Sequence, residues 1–393
     1  MKIIDTTAGL AELCTALAQD EFVTVDTEFM RERTYWPELC LIQIAGEEHE
    51  AIIDPMAAEL DLKPFFALMA DTDVLKVFHA ARQDIEIIHH LGGIIPHPLF
   101  DTQIAAMVCG FGDQIGYEAI VNRLAGAHVD KSSRFTDWAR RPLTDKQLAY
   151  ALSDVTHLRV VYNKLKAKLD ESKREPWLEE EMDILTSPDT YVVAPENAWQ
   201  RIKFRARKPR QLGVLMQVTA WREREAQMRN VPRNRIVKDD VLTELAVQQP
   251  KDKDALRGLR ALAKGHANSS VGEALLKAVR AGTQMKPDDI PFVAHDKPNL
   301  PEGTAAAAEV LKLALKVIAE REGIAPKLIA SSSDIEKIAA GQDNVRAMSG
   351  WRRQVFGNIA LEIKAGNVAL GLKNKQTTLI RLNDALSKLK AAE

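Results

Sequence analysis

Residues Glu21–Phe29, with the sequence EFVTVDTEF, decide how the first part of the chain folds. Aromatic and β-branched residues dominate the stretch and predict a strand. Because side chains alternate across a strand, Asp26 and Glu28 should project from the same face. Two adjacent carboxylates repel each other, which is typical either of a solvated sheet edge or of a site neutralised by divalent cations. The pair alone does not separate these two interpretations.

The flanking sequence predicts the fold class. Further strands are expected at residues 39–46 and 50–55, and their short polar connections favour hairpin-like pairing at one side of a mixed sheet. Helix and strand signals alternate to about residue 108, and the chain then has almost no strand signal to its end. This order predicts an α/β domain followed by an all-α remainder.

Three polar residues further along could complete a site with the first two. Asp84 falls in the first turn of a helix predicted over residues 82–91, where the helix dipole favours a carboxylate. Tyr150 and Asp154 are four residues apart in a helix that Thr144 is placed to cap, so they should point the same way. Each residue also has an ordinary structural explanation: a first-turn acid, or an exposed or mutually hydrogen-bonded Tyr/Asp pair.

Charge divides the chain into blocks. Residues 1–200 carry 18 basic against 34 acidic side chains, residues 201–286 carry 20 against 8, and residues 287–393 carry 15 against 13. Six of the ten residues from Arg201 to Arg210 are basic. An acidic block followed by a basic one suggests a catalytic unit joined to a module that holds a polyanion. A region rich in proline and glycine, residues 285–303, predicts a boundary between two helical modules.

Composition excludes several classes of protein. The N-terminus lacks the features of a signal peptide and no apolar run is long enough to span a bilayer, so we expect a cytoplasmic protein with no membrane partner. Cys14, Cys40 and Cys109 form no CxxC motif and are interpreted as buried thiols. No Walker motif occurs, so we expect no nucleotide cofactor and no complete helicase.

Taken in order, the four acids and the Tyr150-Ala-Leu-Ser-Asp154 motif resemble the DEDD exonuclease superfamily, in its tyrosine-bearing subclass. Residues 201–286 and 300–393 are similar to the HRDC-type helical domains that this family shares with RecQ-type helicases, most clearly from Trp221 to Ile236. The flanking stretches resemble ribonuclease D specifically: TEFMRERTYWPELCLIQIA (27–45), FHAARQDIEII (78–88), FDTQIAAMVCGFGDQIGYEAIV (100–121) and DKSSRFTDWARRPLTDKQLAYALSDV (130–155).

The resemblance implies a ribonuclease H-like mixed sheet with flanking helices in residues 1–200, two small all-α domains after it, and two divalent ions, Mg²⁺ or Mn²⁺. Asp26 would bridge both ions, Glu28 and Asp154 would hold the one that activates water, and Asp84 would act at the leaving-group side. Tyr150 would orient the water. Oxygen ligands without paired Cys or His fit these hard cations better than zinc.

Two groups of basic residues are candidates for RNA binding, although solvated basic faces would look the same. Tyr35 and Trp36 could stack on terminal bases or simply cover the sheet edge. We also expect that deleting residues 201–393 weakens binding of structured RNA while hydrolysis of a short oligonucleotide persists. The basic candidates are Lys131, Arg134, Arg140 and Arg141 in the first group and Arg201, Lys203, Arg205, Arg207 and Arg210 in the second.

The favoured function is a monomeric 3′-to-5′ exoribonuclease that releases nucleoside 5′-monophosphates and trims tRNA precursors, the substrate class that the resemblance implies. A DNA 3′-to-5′ exonuclease would need the same acids. A nucleic-acid-binding scaffold with a vestigial nuclease domain is a third alternative, but it would be expected to lack a carboxylate, and all four are present.

Overall fold

The computed structural model describes residues 3–133, 136–263, 265–291 and 301–382. Arg134 and part of the predicted boundary at 285–303 lie outside the described residues. Of Lys131 only the backbone is described, at the start of a short 3₁₀ turn, Lys131–Ser133. No described helix has the combination of length and apolar composition that crossing a membrane requires.

A six-stranded mixed sheet organises the first part of the chain, in the spatial order β1-β4-β3-β2-β5-β6. Its middle strands form an antiparallel meander, β2 with β3 and β3 with β4, while β5 and β6 join in parallel. The predicted hairpin-like pairing on one side of a mixed sheet is confirmed. The strands are β1 (Ile3–Ile4), β2 (Phe22–Met30), β3 (Glu38–Ala45), β4 (Glu50–Ile53), β5 (Leu75–Phe78) and β6 (Leu99–Asp101).

Helices cover this sheet. Thr6 caps the first of them, and Thr144 forms a capping box with Gln147 at the start of the longest, where a threonine cap was predicted. The α/β fold class predicted from the sequence is thereby confirmed. The helices are α1 (Thr7–Leu17), α2 (Lys63–Ala70), α3 (Arg82–Gly92), α4 (Thr102–Val108), α5 (Tyr117–Ala125), α6 (Asp145–Ser172) and α7 (Glu175–Thr186).

The first helical module, residues 201–286, has its own hydrophobic core. Leu215 and Val218 of its longest helix pack there with Leu242, Leu245 and Leu275. In the basic segment that opens the module, the basic side chains are exposed, and the backbone of residues 202–208 is irregular up to this helix. The helices are α8 (Pro209–Arg229), α9 (Arg233–Ile236), α10 (Asp239–Gln248), α11 (Lys253–Arg257) and α12 (Ser270–Gln284).

The second helical module, residues 301–382, contains helices and one hairpin. The expectation of almost no strand beyond residue 108 is wrong here, because β7 (Val368–Lys373) and β8 (Gln376–Arg381) pair in antiparallel. Asn374 and Lys375 both have positive φ, as a two-residue hairpin turn requires. The helices are α13 (Thr304–Glu322), α14 (Pro326–Ile329), α15 (Ser332–Ala339), α16 (Gly350–Arg352) and, after a π-helical turn at Arg353–Gly357, α17 (Asn358–Lys364).

The second module shares its core with the α/β part of the chain. Leu311 and Ile318 of α13 belong to the same buried cluster as Val108 and Leu185. At the seam, a Cβ on Gly110 would lie 2.5 Å from the carbonyl oxygen of Gly323, so only glycine permits this approach. The backbones also bond there, from Ala325 N to Met107 O (3.0 Å).

Helix α7 makes the second half of this seam. Arg352 is fully buried and pairs with Glu180 and Glu181, while Trp177 and Trp351 stack with their ring centroids 4.6 Å apart. Deleting residues 201–393 would strip this core, so the deletion does not isolate RNA binding as we expected from the sequence. Substitutions of single surface charges are the cleaner test.

Candidate active site

Three carboxylates meet where β2 passes α6. The oxygens of Asp26, Glu28 and Asp154 lie within 4.8 Å of one another. Strand alternation puts the first two on one face of β2, and α6 packs across the sheet, anchored where Thr24 Oγ1 donates to the carbonyl oxygen of Val155 (2.9 Å). The packing of α6 on the sheet therefore brings the predicted pair Asp26 and Glu28 close to Asp154 of the helix motif.

Asp84 lies beside this group but is not part of it. It occupies the first turn of α3, is only 7% exposed, and accepts a hydrogen bond from Thr27 Oγ1 (2.5 Å). All four acids and Tyr150 line one cavity of about 630 Å³. The structure thus places the five predicted residues around one cavity, and three of the carboxylates are close enough to bind the same cation.

Burial and mutual repulsion disfavour ionisation of Asp26 and Asp84 in the metal-free protein. Burial, and after it the charge of Asp154, raises the pKa of Asp26 well above its usual value. Burial and the charge of Asp26 do the same to the pKa of Asp84. A bound cation would remove both penalties, because it replaces lost hydration and cancels the repulsion.

The donor set fits hard divalent cations. Among the described residues the three clustered ligands are all carboxylates, with no cysteine or histidine in the group. Cys14 and Cys40 are buried and Cys109 is half-buried, and all three are free thiols. Burial raises the pKa of Cys14 to about 12, so this thiol is inert at neutral pH.

Tyr150 reaches the carboxylates from one turn earlier on α6. Burial, followed by the charge of Asp154, raises the pKa of its phenol, and the hydroxyl also donates a hydrogen bond to Asp154. The side chain is half-buried and packs near Trp138, with ring centroids 6.2 Å apart. The phenol therefore stays protonated at neutral pH and is a hydrogen-bond donor rather than a base.

The sequence did not predict that two further residues, Tyr117 and Thr27, lie at the site. Tyr117 of α5 donates its hydroxyl to the carbonyl oxygens of Asp154 (2.6 Å) and Ser153 (3.0 Å), which ties α5 to the catalytic helix. Thr27 lies between Asp26 and Glu28 on β2, and its hydroxyl donates a hydrogen bond to Asp84. No local motif marks either residue, since both act across elements distant in sequence.

His79 serves as a local hydrogen-bonding group at the junction of β5 and α3. Its Nδ1 lies 2.9 Å from Thr102 Oγ1 and its Nε2 lies 3.1 Å from the carbonyl oxygen of Ile115. Burial lowers the pKa of the imidazole. The residue therefore lines the cavity as a neutral, fixed ring.

One member of the first group of predicted RNA-binding residues, Arg141, is not placed for that role. Arg141 forms a bidentate ion pair with Asp54, with both N–O distances 2.7 Å, and also donates to the carbonyl oxygen of Cys40. Its function is to hold the loop before α6 on the sheet, so its assignment to substrate binding is wrong. Arg140 is exposed. The side chains of the second group are all exposed, namely Arg201, Lys203, Arg205, Arg207 and Arg210.

The position of Tyr35 excludes one of the two roles considered for it, stacking on terminal bases. The side chain is 5% exposed and packs against Ala226 and Ile236 of the first helical module, so it cannot stack on bases. Trp36 is half-buried and stacks on His90, with centroids 4.1 Å apart. Their loop is a docking point between the two parts of the chain.

Comparison with known proteins agrees with this architecture. A family model described as 3′-5′ exonuclease matches residues 1–170, and an HRDC domain model matches residues 211–279. Ribonuclease D of Bartonella henselae is 49% identical over 95% of this chain and 92% of its own length, and that of Nitrobacter hamburgensis is 50% identical over 95% and 97%.

A solved structure extends the match to three dimensions. The crystal structure of Escherichia coli RNase D, described as an exoribonuclease involved in structured RNA processing, aligns with a TM-score of 0.80 at 31% identity. The alignment covers 93% of this chain and 98% of that one. Both the α/β part and the helical modules described above are therefore shared with that enzyme.

Proposed function

The chain belongs to the ribonuclease D family and is a hydrolase with 3′-to-5′ exoribonuclease activity, and from this premise we propose that it trims the 3′ ends of tRNA precursors with two divalent cations. The observation that carries the cation part is the group of three carboxylates in one cavity. The RNA class follows the relative that processes structured RNA and the HRDC domain match.

The four acids would share the cations. Asp26, Glu28 and Asp154 would hold one, and Asp26 with Asp84 the other, as Mg²⁺ or Mn²⁺. When bound, the cations would polarise the scissile phosphate and lower the pKa of the attacking water. Tyr150 would orient that water, because its raised pKa keeps the phenol protonated as a donor. The products would be nucleoside 5′-monophosphates.

RNA would be held outside the catalytic cavity by basic residues. The exposed segment that opens the first helical module supplies charges for phosphate contacts, which dominate affinity for nucleic acid. We assign this role to Arg201, Lys203, Arg205, Arg207 and Arg210.

Several sequence-based expectations stay predictions. These are the division into an exonuclease domain at 1–200, an HRDC-type domain at 201–286 and a diverged second one at 300–393, the monomeric state and the cytoplasmic location. RNA binding by Lys131 and Arg134 also stays a prediction, since the side chain of the first and the whole of the second lie outside the described part of the chain.

The test is the product ladder from a tRNA precursor with a 3′ extension, digested with Mg²⁺, with Mn²⁺ and with EDTA. We expect stepwise shortening that stops near the mature 3′ end, release of 5′-monophosphates and no reaction in EDTA. A matched DNA strand is expected to be cut much more slowly. Reaction in EDTA would contradict the cation mechanism, and equal rates on a structureless RNA and the precursor would contradict the tRNA assignment.

A further inference from the structure

Three cavities that share lining residues lie between the acidic cluster and the first helical module. The active-site cavity shares Glu28 and Phe29 with a neighbour of about 520 Å³, here the loop cavity. The loop cavity shares Arg31 and Thr34 with a third of about 400 Å³, here the interdomain cavity. The shared residues make each cavity adjacent to the next, and this row of three cavities is called the groove below.

Residues of the loop from Arg31 to Trp36 line the loop and interdomain cavities, and the first helical module holds this loop in place. Asn230, just after α8, accepts hydrogen bonds from the backbone N–H groups of Tyr35 (3.1 Å) and Trp36 (3.0 Å). A single side chain thus fixes two consecutive amides of a loop almost two hundred residues away in sequence. The loop is therefore a shared part of both units.

The Tyr35 side chain strengthens this attachment. Its hydroxyl donates to the buried Glu223 and accepts from Gln227 (3.1 Å) and Arg233 (2.8 Å). Arg233 closes the network with a bidentate ion pair to Glu223, with N–O distances of 2.6 Å, and lies over the tyrosine ring. A buried network whose polar groups are hydrogen-bonded holds one geometry, so the loop has a fixed position along the groove.

The sign of the charge changes along the groove. Among the described residues, the active-site cavity is lined by acids, and the loop cavity by four acids and two arginines, whereas the interdomain cavity is lined by four arginines and two acids. Arg31 is occupied by a bidentate pair with Glu86, with both distances 2.8 Å. Arg33 and Arg201 are exposed, and within the described part of the chain neither forms an ion pair with a carboxylate. Their guanidinium groups remain available for phosphates.

We propose that this groove holds the single-stranded 3′ segment of an RNA, with its terminal phosphodiester at the carboxylates and its upstream phosphates at Arg33 and then Arg201. The proposal rests on the exonuclease function argued above and adds the path of the strand. Metal-bound carboxylates would receive the reacting phosphate, and the arginines would receive phosphates that are not cleaved.

The chain length limits how far the interdomain cavity begins from the active site. Thr34 is six positions after Glu28, so the two Cα atoms lie at most about 22 Å apart. At the spacing of about 3.4 Å per nucleotide of a stacked strand, this is at most about six nucleotides. Because Arg33 lines the cavity next to the active site and Arg201 lines the one beyond it, Arg201 should require a longer substrate than Arg33 does.

The experiment compares Arg201→Gln and Arg33→Gln in the full chain on unstructured RNAs from dinucleotide to dodecamer. We expect Arg201→Gln to match the unmodified protein on dinucleotides and to lose roughly tenfold in kcat/KM on the dodecamer. Its plot of log kcat/KM against log salt should be shallower by about 0.7, one single-strand phosphate contact. Arg33→Gln should show its loss at a shorter length.

Arg280→Gln is the matched control, because it removes the same charge from an exposed position on α12, outside all three cavities. It should behave as the unmodified protein at every length. An Arg201→Gln protein with unchanged activity on the dodecamer, or with equal loss at all lengths, overturns the proposed path. Failure of the exonuclease function would look different, since the unmodified protein would then degrade no RNA of any length.

Discussion

Replacing Asp26 by asparagine should abolish activity and at the same time stabilise the metal-free protein. The oxygens of Asp26, Glu28 and Asp154 lie within 4.8 Å. At an effective dielectric constant of about 20, two ionised groups at that distance repel by about 3 kcal/mol. Because burial keeps part of the group protonated, the gain is smaller, about 1 to 3 kcal/mol of unfolding free energy in Asp26→Asn.

Cations should offset this difference in unfolding free energy. An ion at a hundred times its dissociation constant stabilises the protein that binds it by about 2.7 kcal/mol. The unmodified protein should gain this stabilisation from Mn²⁺, and Asp26→Asn should lose most of it with its ligand. Chemical denaturation near pH 8, in EDTA and in excess Mn²⁺, measures both effects independently of any nuclease assay.

Glu48→Gln is a suitable control for the Asp26 experiment, since it removes an exposed carboxylate from the same domain. It should change neither the stability in EDTA nor the gain from Mn²⁺. The reasoning would be refuted by an Asp26→Asn protein that is no more stable than the unmodified one in EDTA and that keeps the full Mn²⁺ gain. Near-normal nuclease activity of that variant would refute the catalytic assignment.

Three further predictions follow from individual side chains. The raised pKa values of Asp26 and Asp84 mean that the folded metal-free protein retains protons that the unfolded chain releases above about pH 4, so stability in EDTA should fall as pH rises from there. Denaturation at about pH 5 and about pH 8 measures this slope, which should be smaller in Asp26→Asn and would be equal if the two acids were not responsible. Tyr150→Phe should lower kcat about tenfold while keeping the Mn²⁺ stabilisation, and an unchanged kcat would reject the role of the hydroxyl. Tyr35→Phe leaves the buried Glu223 and Arg233 without one partner and should lower the unfolding free energy by about 1 to 3 kcal/mol in denaturant titrations, whereas an unchanged midpoint would show that the network contributes nothing.

Local periodicity was enough to predict the parts of the candidate site. The alternation of EFVTVDTEF put Asp26 and Glu28 on one face of a strand, and the four-residue spacing put Tyr150 and Asp154 on one face of a helix. These relations depend only on backbone geometry, so they hold wherever the element packs. The family resemblance was needed to state that the two pairs and Asp84 belong together.

Some roles could not be inferred because they depend on distant partners. Tyr35 was a candidate either to stack on bases or to cover the sheet edge, since an aromatic side chain in a loop has the same local sequence whether it is exposed or docked. Its partners, Glu223 and Asn230, come almost two hundred residues later. Arg141 was a candidate phosphate contact for the same reason, because Asp54, with which it forms an ion pair, is distant in the sequence.

The amino-acid sequence by itself determined the elements of the α/β domain, the direction in which the acids point along β2 and α6, and the basic character of the segment that opens the first helical module. Only the tertiary structure decided that three carboxylates share one cavity, that the second helical module completes the core of the first domain, and that Arg201 lines a cavity beside the docked loop. The physical reason is range: hydrogen-bonded periodicity acts within a few residues, whereas apolar burial and charge pairing join any residues that the fold brings into contact.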